Sequence, residues 1–203
     1  MQSYPPRQET PDPPPALHDR AMDNLRFIRE TMANAASFTA VPGWGGVAMG
    51  LTAFAAAWYA AAETDVRVWL TIWFIEAGVA ISIAATSMAW KLRAARESLL
   101  RGPGRKFVLG FTPPIVAGAA LTLVLARAGL HEALPGTWLA MYGSAVMAGG
   151  AFSVRSVPVM GAAFLAVGII ALLVPSVGDE MLAVGFGGFH VTFGVLIARK
   201  HGG

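Results

Sequence analysis

The sequence predicts an all-α polytopic membrane protein: six transmembrane helices arranged as three tandem hairpins, preceded by a cytoplasmic amphipathic helix. Three observations carry that expectation. Of the 203 residues, 55% are hydrophobic and only 13% are charged, whereas a soluble domain carries about 25% charged residues. The mean hydropathy is +0.56. Thirteen of the fifteen Lys and Arg residues fall at alternate ends of six apolar stretches, the asymmetry expected when positive charge is retained on the cytoplasmic side.

Residues 1–15, MQSYPPRQETPDPPP, hold six of the thirteen prolines. They lack an apolar run, so they predict an extended or disordered tail rather than a cleavable leader. Residues 16–38 predict an amphipathic helix. Met22, Leu25, Ile28, Met32 and Ala35 recur near the helical period, and Asp19, Asp23, Arg26, Arg29 and Glu30 fill much of the remainder. That much charge bars it from spanning and places it at the interface. Residues 39–203 then form the bundle, with spans at about 42–62, 66–90, 107–127, 136–154, 157–175 and 181–198, each near the ~20 residues that cross a hydrocarbon core.

The basic residues set the orientation. Arg7, Arg20, Arg26, Arg29, Lys91, Arg93, Arg96, Arg101, Arg105, Lys106, Arg155, Arg199 and Lys200 fall on one side, and only Arg67 and Arg127 on the other. Both termini are therefore expected in the cytoplasm of a bacterium, with the bundle in its inner membrane. Trp58, Tyr59, Trp69 and Trp138 lie near outer span ends and Trp44 and Trp90 near inner ends, where aromatic rings anchor at headgroup level. Trp73, one turn deeper than Trp69, is expected to pack inside.

An internal repeat gives the hairpins. Pro42, Pro114 and Pro158 mark the cytoplasmic ends of the odd spans, and each is followed four residues later by Gly46, Gly118 or Ala162. Thirty-six residues after those prolines come Gly78, Gly150 and Gly194, in the even spans. Together with Gly50, which completes Gly46-x-x-x-Gly50, these glycines are expected at helix–helix seams. The pattern is clearest in GAAFLAVGIIALLVP (161–175) and GFGGFHVTFGVLIARK (185–200). There it resembles the tandem-hairpin bacterial membrane proteins related to HdeD, the acid-resistance family. That resemblance implies a multi-span bundle and supplies no catalytic motif. The chain as a whole resembles six-span bacterial membrane proteins more than any enzyme.

Two residues stand out chemically. Glu76 is the only acid well inside a span, roughly 15 Å below the outer end at 1.5 Å per residue. His190 lies at a comparable depth in the sixth span, and the repeat frame aligns it with Phe74, on the same turn as Glu76. The expectation is a Glu76–His190 pair, either a register-fixing hydrogen bond or a proton-coupling site. The basic loop 91–106, with Lys91, Arg93, Arg96, Arg101, Arg105 and Lys106, is topogenic and a candidate contact for anionic lipid headgroups.

Absent chemistry narrows the rest. The chain has no cysteine, which removes disulfides, thiolate catalysis and cysteine-ligated metals. No HExxH, GxSxG or Walker loop occurs, so no catalytic residue, metal ligand or cofactor is expected. The pI near 9.7 reflects charge beside apolar spans rather than a nucleic-acid surface. The function expected is non-enzymatic: a structural, sensory or stress-related component among membrane lipids, with a second copy or a membrane protein as partner. The alternative is a small proton-coupled transporter or channel using Glu76 and His190.

Overall fold

The structure is a computed structural model and describes residues 17–35, 38–95 and 98–201. The expected tail at 1–15 lies outside the described residues. Helix α1, Leu17–Ala35, forms a unit of its own. Its Met22, Leu25 and Ile28 recur at helical spacing, and Asp23 pairs with Arg26 across 3.9 Å in solvent, an exposed contact of small energetic weight.

The second unit consists, over its described residues, of helices joined by short turns, with one isolated bridge between Phe38 and Ser153. It runs α2 (Gly43–Ala60), α3 (Val66–Ala95), α4 (Gly102–Arg127), α5 (Leu134–Gly150), α6 (Ser156–Leu173) and α7 (Gly178–Leu182). A π-helical segment, Ala183–Phe189, then leads directly into α8, His190–His201. Pro42 caps α2 in an extended conformation, and Gly129 at φ +74° ends α4 in the left-handed conformation that glycine tolerates.

Four helices are long and apolar enough to cross a membrane: α3, α4, α6 and the continuous stretch Pro175–Lys200. They mark the chain as a membrane protein. α2 and α5 are not among the four. α5 has seventeen residues, and α2 takes four of its eighteen from glycine. The shortfall matches their positions. α5 packs between α4 and α6, α2 packs between α3 and α8, and eleven of the α5 residues are buried. A helix packed on neighbours at two sides needs small residues for close approach there more than it needs apolarity. α4, in contrast, buries only Gly104 and Gly118. Its Val116 and Val124 and the Ile75 and Ile81 of α3 are each at least 60% exposed, a surface suited to acyl chains rather than water.

Glycines set the seams. A Cβ added at Gly143 of α5 would stand 2.5 Å from the Leu165 nitrogen of α6. Between α2 and α8, Gly46 faces Gly194, and Gly50 faces the Gly187 carbonyl and Val191. Gly46-x-x-x-Gly50 thus serves a seam within the chain. Gly150, the last residue of α5, packs against Val157 and Pro158 in the first turn of α6.

Three expectations need correction. Gly78 is no packing glycine, since nothing lies within 4 Å of its added Cβ; it is on the exposed side of α3. Pro114 does not open a span but sits with Pro113 inside α4, where the carbonyls one turn back lose their amide partners. The basic segment 91–106 is not a continuous loop. α3 runs on to Ala95 and α4 starts at Gly102, because Lys91–Ala95 consists of good helix formers and Pro103 is suited to a first turn.

The hairpin connections converge at two ends. At the basic end the Phe38 amide donates to the Phe152 carbonyl at 2.7 Å, and the Ser153 hydroxyl donates to the Phe38 carbonyl at 2.6 Å. Lys91 also donates to the Val41 carbonyl there, at 3.0 Å. The turns 61–65, 128–133 and 174–177 meet at the opposite, acidic end.

Candidate functional site

α3 turns one stripe inward: Trp69, Trp73 and Glu76, four and three residues apart, are its buried positions. Glu76 meets α2, where the Thr52 hydroxyl donates to its Oε1 at 2.9 Å. That hydroxyl also lies 2.9 Å from the Met49 carbonyl, which holds the Thr52 side chain against its own helix.

His190 is 6% exposed and opens α8 just after the π segment. Its backbone amide bonds to the Gly187 carbonyl. The Phe186 carbonyl, which an α-helix would have given to that amide, receives the imidazole Nδ1 instead, at 2.9 Å. A carbonyl can only accept, so the hydrogen of the neutral ring is on Nδ1 and Nε2 is an acceptor. The Tyr142 hydroxyl of α5 donates to it at 2.8 Å. The rings of Phe164 and Phe186 stand 5.3 Å and 6.2 Å from the imidazole, and both ring nitrogens are occupied.

The expected Glu76–His190 pair is therefore not formed. Each residue is bonded elsewhere, and α2 packs between the helices that carry them. The repeat frame failed on rotation: it equates His190 with Phe74, yet Phe74 is 56% exposed and His190 is buried. Among the described residues no hydrogen-bonded path joins the two groups.

The aromatic anchors divide. Trp44, Trp58, Tyr59 and Trp90 are exposed. Trp69 is not an anchor: it is 8% exposed, stacks on Trp138 at 5.3 Å and donates Nε1 to Asp179 at 3.0 Å. Trp138 is half-buried and donates to the Thr122 hydroxyl. Trp73 is packed inside, and its Nε1 has no partner.

Two concavities accompany these contacts. A cavity of about 230 Å³ lies where the three acidic-end turns meet, with Glu63, His131, Glu132 and Asp179 in its wall. A groove of about 320 Å³ runs between α2 and α3 beside Glu76. Among the described residues no group of three His, Cys, Asp or Glu side chains is placed to hold a metal ion.

The basic candidates also divide. Arg93, Arg101 and Arg105 are exposed. Lys91 is directed to the Val41 carbonyl, Lys106 stands 5.8 Å over the Phe152 ring, and Arg96 lies outside the described residues. Sequence reasoning passed over Thr52, Tyr142 and Asp179. Tyr142 had a usable signal, being the one tyrosine of three placed well inside a span.

No protein-family model, curated protein or solved structure matches this chain.

Proposed function

We propose that this chain is a six-crossing protein of a bacterial cytoplasmic membrane, with both termini cytoplasmic. In this reading it acts as a non-enzymatic structural, sensory or stress-related component rather than a conduit. One observation carries the reading: the polar groups along the helices are bonded separately and are not joined to one another. His190 is satisfied by Tyr142 and the Phe186 carbonyl among aromatic rings, and Glu76 is bonded to Thr52. A permeation path needs a continuous polar lining, and rings of Phe164, Phe186 and Phe189 occupy the space around His190 instead.

Six crossings follow if α2 and α5 cross with the neighbours they pack against. α5 at seventeen residues reaches about 26 Å, close to the ~30 Å hydrocarbon core. Orientation rests on the basic residues. The likeness to HdeD-related tandem hairpins fits a multi-span bundle of this kind. Membrane lipids are the first partners, with anionic headgroups at Arg93, Arg101 and Arg105, and a second copy or a membrane protein is the next.

Proton flux into liposomes tests this directly. Protein-loaded vesicles are expected to acidify no faster than empty ones under an imposed gradient. Flux that disappears in Glu76→Gln and His190→Ala would overturn the reading and establish the second one, a small proton-coupled transporter. One feature favours that second reading: the π segment immediately before His190, since such segments recur at functional sites.

A further inference from the structure

Within the second unit, the groove is walled by α2 and α3 alone. Its walls are Thr52, Ala55 and Tyr59 of α2 with Ile72, Ile75 and Glu76 of α3. Ala55, Tyr59 and Ile75 are all exposed, so the opening lies on the free face of this hairpin. Glu76 is ten residues into α3, roughly 15 Å along its axis. At that depth the surrounding medium is acyl chain, and an occupant arrives through the bilayer.

The polar equipment is sparse and directional. Thr52 fixes Glu76 through Oε1. Among the described residues no hydrogen-bond partner is found for Oε2, and it is not one of the fully buried unpartnered atoms, which leaves it open to the groove. Among the described residues no salt bridge reaches Glu76, and Thr52 is its hydrogen-bond partner. An acidic group in hydrocarbon calls for a counter-charge or a donor, and apolar walls around one placed polar group are the usual form of a small-molecule site.

We propose that this groove is a binding site, reached from the bilayer, for a hydrophobic amine: a compact apolar body bearing one protonated nitrogen. The ammonium places an N–H donor and a positive charge against Oε2, and the body lies on Ala55, Ile72 and Ile75. At about 320 Å³ the groove is at the small end of ligand pockets, which run from about 300 to 1,000 Å³. It therefore suits a single ring or cage rather than a long chain. The proposal stands apart from the closed-interior reading, because the groove is on the outside of the bundle and needs no path across it.

Equilibrium binding of radiolabelled 1-adamantylamine to the full chain in lipid nanodiscs tests it, with 1-adamantanol as the uncharged competitor of matched shape. One saturable site is expected, against which the alcohol competes at least about tenfold more weakly than unlabelled amine. Glu76→Gln should weaken binding by roughly tenfold or more, the scale of one charge-assisted hydrogen bond. Ala55→Phe fills the groove from an exposed position of α2 while leaving the Glu76 side chain in place, and should abolish binding, which keeps the test decisive if Glu76→Gln fails to fold. No saturable binding above that of protein-free nanodiscs, unchanged affinity in a folded Glu76→Gln, or equal competition by the alcohol would each overturn the proposal.

Discussion

Replacing Tyr142 by Phe removes one oxygen and leaves the ring in place. The hydroxyl donates to His190 Nε2 at 2.8 Å, while Nδ1 is held by the Phe186 carbonyl. The Phe164 and Phe186 rings beside the imidazole offer no replacement donor. Moving the ring hydrogen to Nε2 would strand the Phe186 contact instead. A buried acceptor left without a donor costs about 1–3 kcal/mol, and side-chain hydrogen bonds inside membrane proteins average about 0.6 and reach about 1.7 kcal/mol. The fully enclosed geometry places Tyr142→Phe in the upper part of that overlap, at about 1.5 kcal/mol. Equilibrium unfolding in mixed micelles measures it, and a cycle with His190→Phe isolates the pair, since that background holds no acceptor to strand. A coupling of about 1 kcal/mol is expected. If Tyr142→Phe costs the same in both backgrounds, within ~0.3 kcal/mol, the hydrogen bond is not what the pair contributes.

Gly143→Ala and Gly78→Ala should act in opposite directions. The first drives a Cβ to 2.5 Å from the Leu165 nitrogen and should destabilise by about 1–3 kcal/mol; the second meets nothing within 4 Å and should be neutral or stabilising by up to about 1 kcal/mol, both read by the same unfolding assay. Topology is open to single-cysteine labelling, because the chain has no cysteine of its own. An impermeant maleimide applied outside intact cells should modify Glu132→Cys and Ser176→Cys and spare Ser98→Cys and Arg155→Cys. Labelling of Arg155→Cys would show that α5 does not cross. Changing Arg93, Arg101 and Arg105 together to Gln should weaken association with anionic lipid by about 1 kcal/mol per residue, measured as lipid retention in native mass spectrometry. Lys91→Gln should instead lower stability, since that side chain holds the Val41 carbonyl.

Position along a helix was legible in the sequence and rotation was not. Counting residues from a charged border locates Glu76 and His190 along their helices. Which way each side chain turns depends on what the helix packs against, and that contact is long-range. Phe74 and His190 share a repeat position but differ in burial, and so do Gly78 and Gly194. Trp69 looked like an interfacial ring because its position is right for one. Its partner, Asp179, is 110 residues away on another turn, and no local pattern announces it. The helical class and the apolar stretches were readable because composition acts locally, and four of those stretches form helices long and apolar enough to cross a membrane. The α3–α4 connection was misjudged for a related reason: basic residues mark a membrane border but do not stop a helix.

The π segment has a consequence for the two helices that flank it. α7 packs on α5, and α8 packs on α2, so a single continuous rod addresses two neighbours on different bearings. The seven residues Ala183–Phe189 work as a phase shifter, resetting the angular register between the two halves without a break in the chain. Deleting one residue there, at Gly188 whose added Cβ meets nothing, would turn every position of α8 by about 100° relative to α7. Gly194 would leave Val47, and His190 would leave Tyr142, in the same rotation. The α2–α8 seam and the polar contact on α5 are thus set by one offset, and neither can be retuned alone.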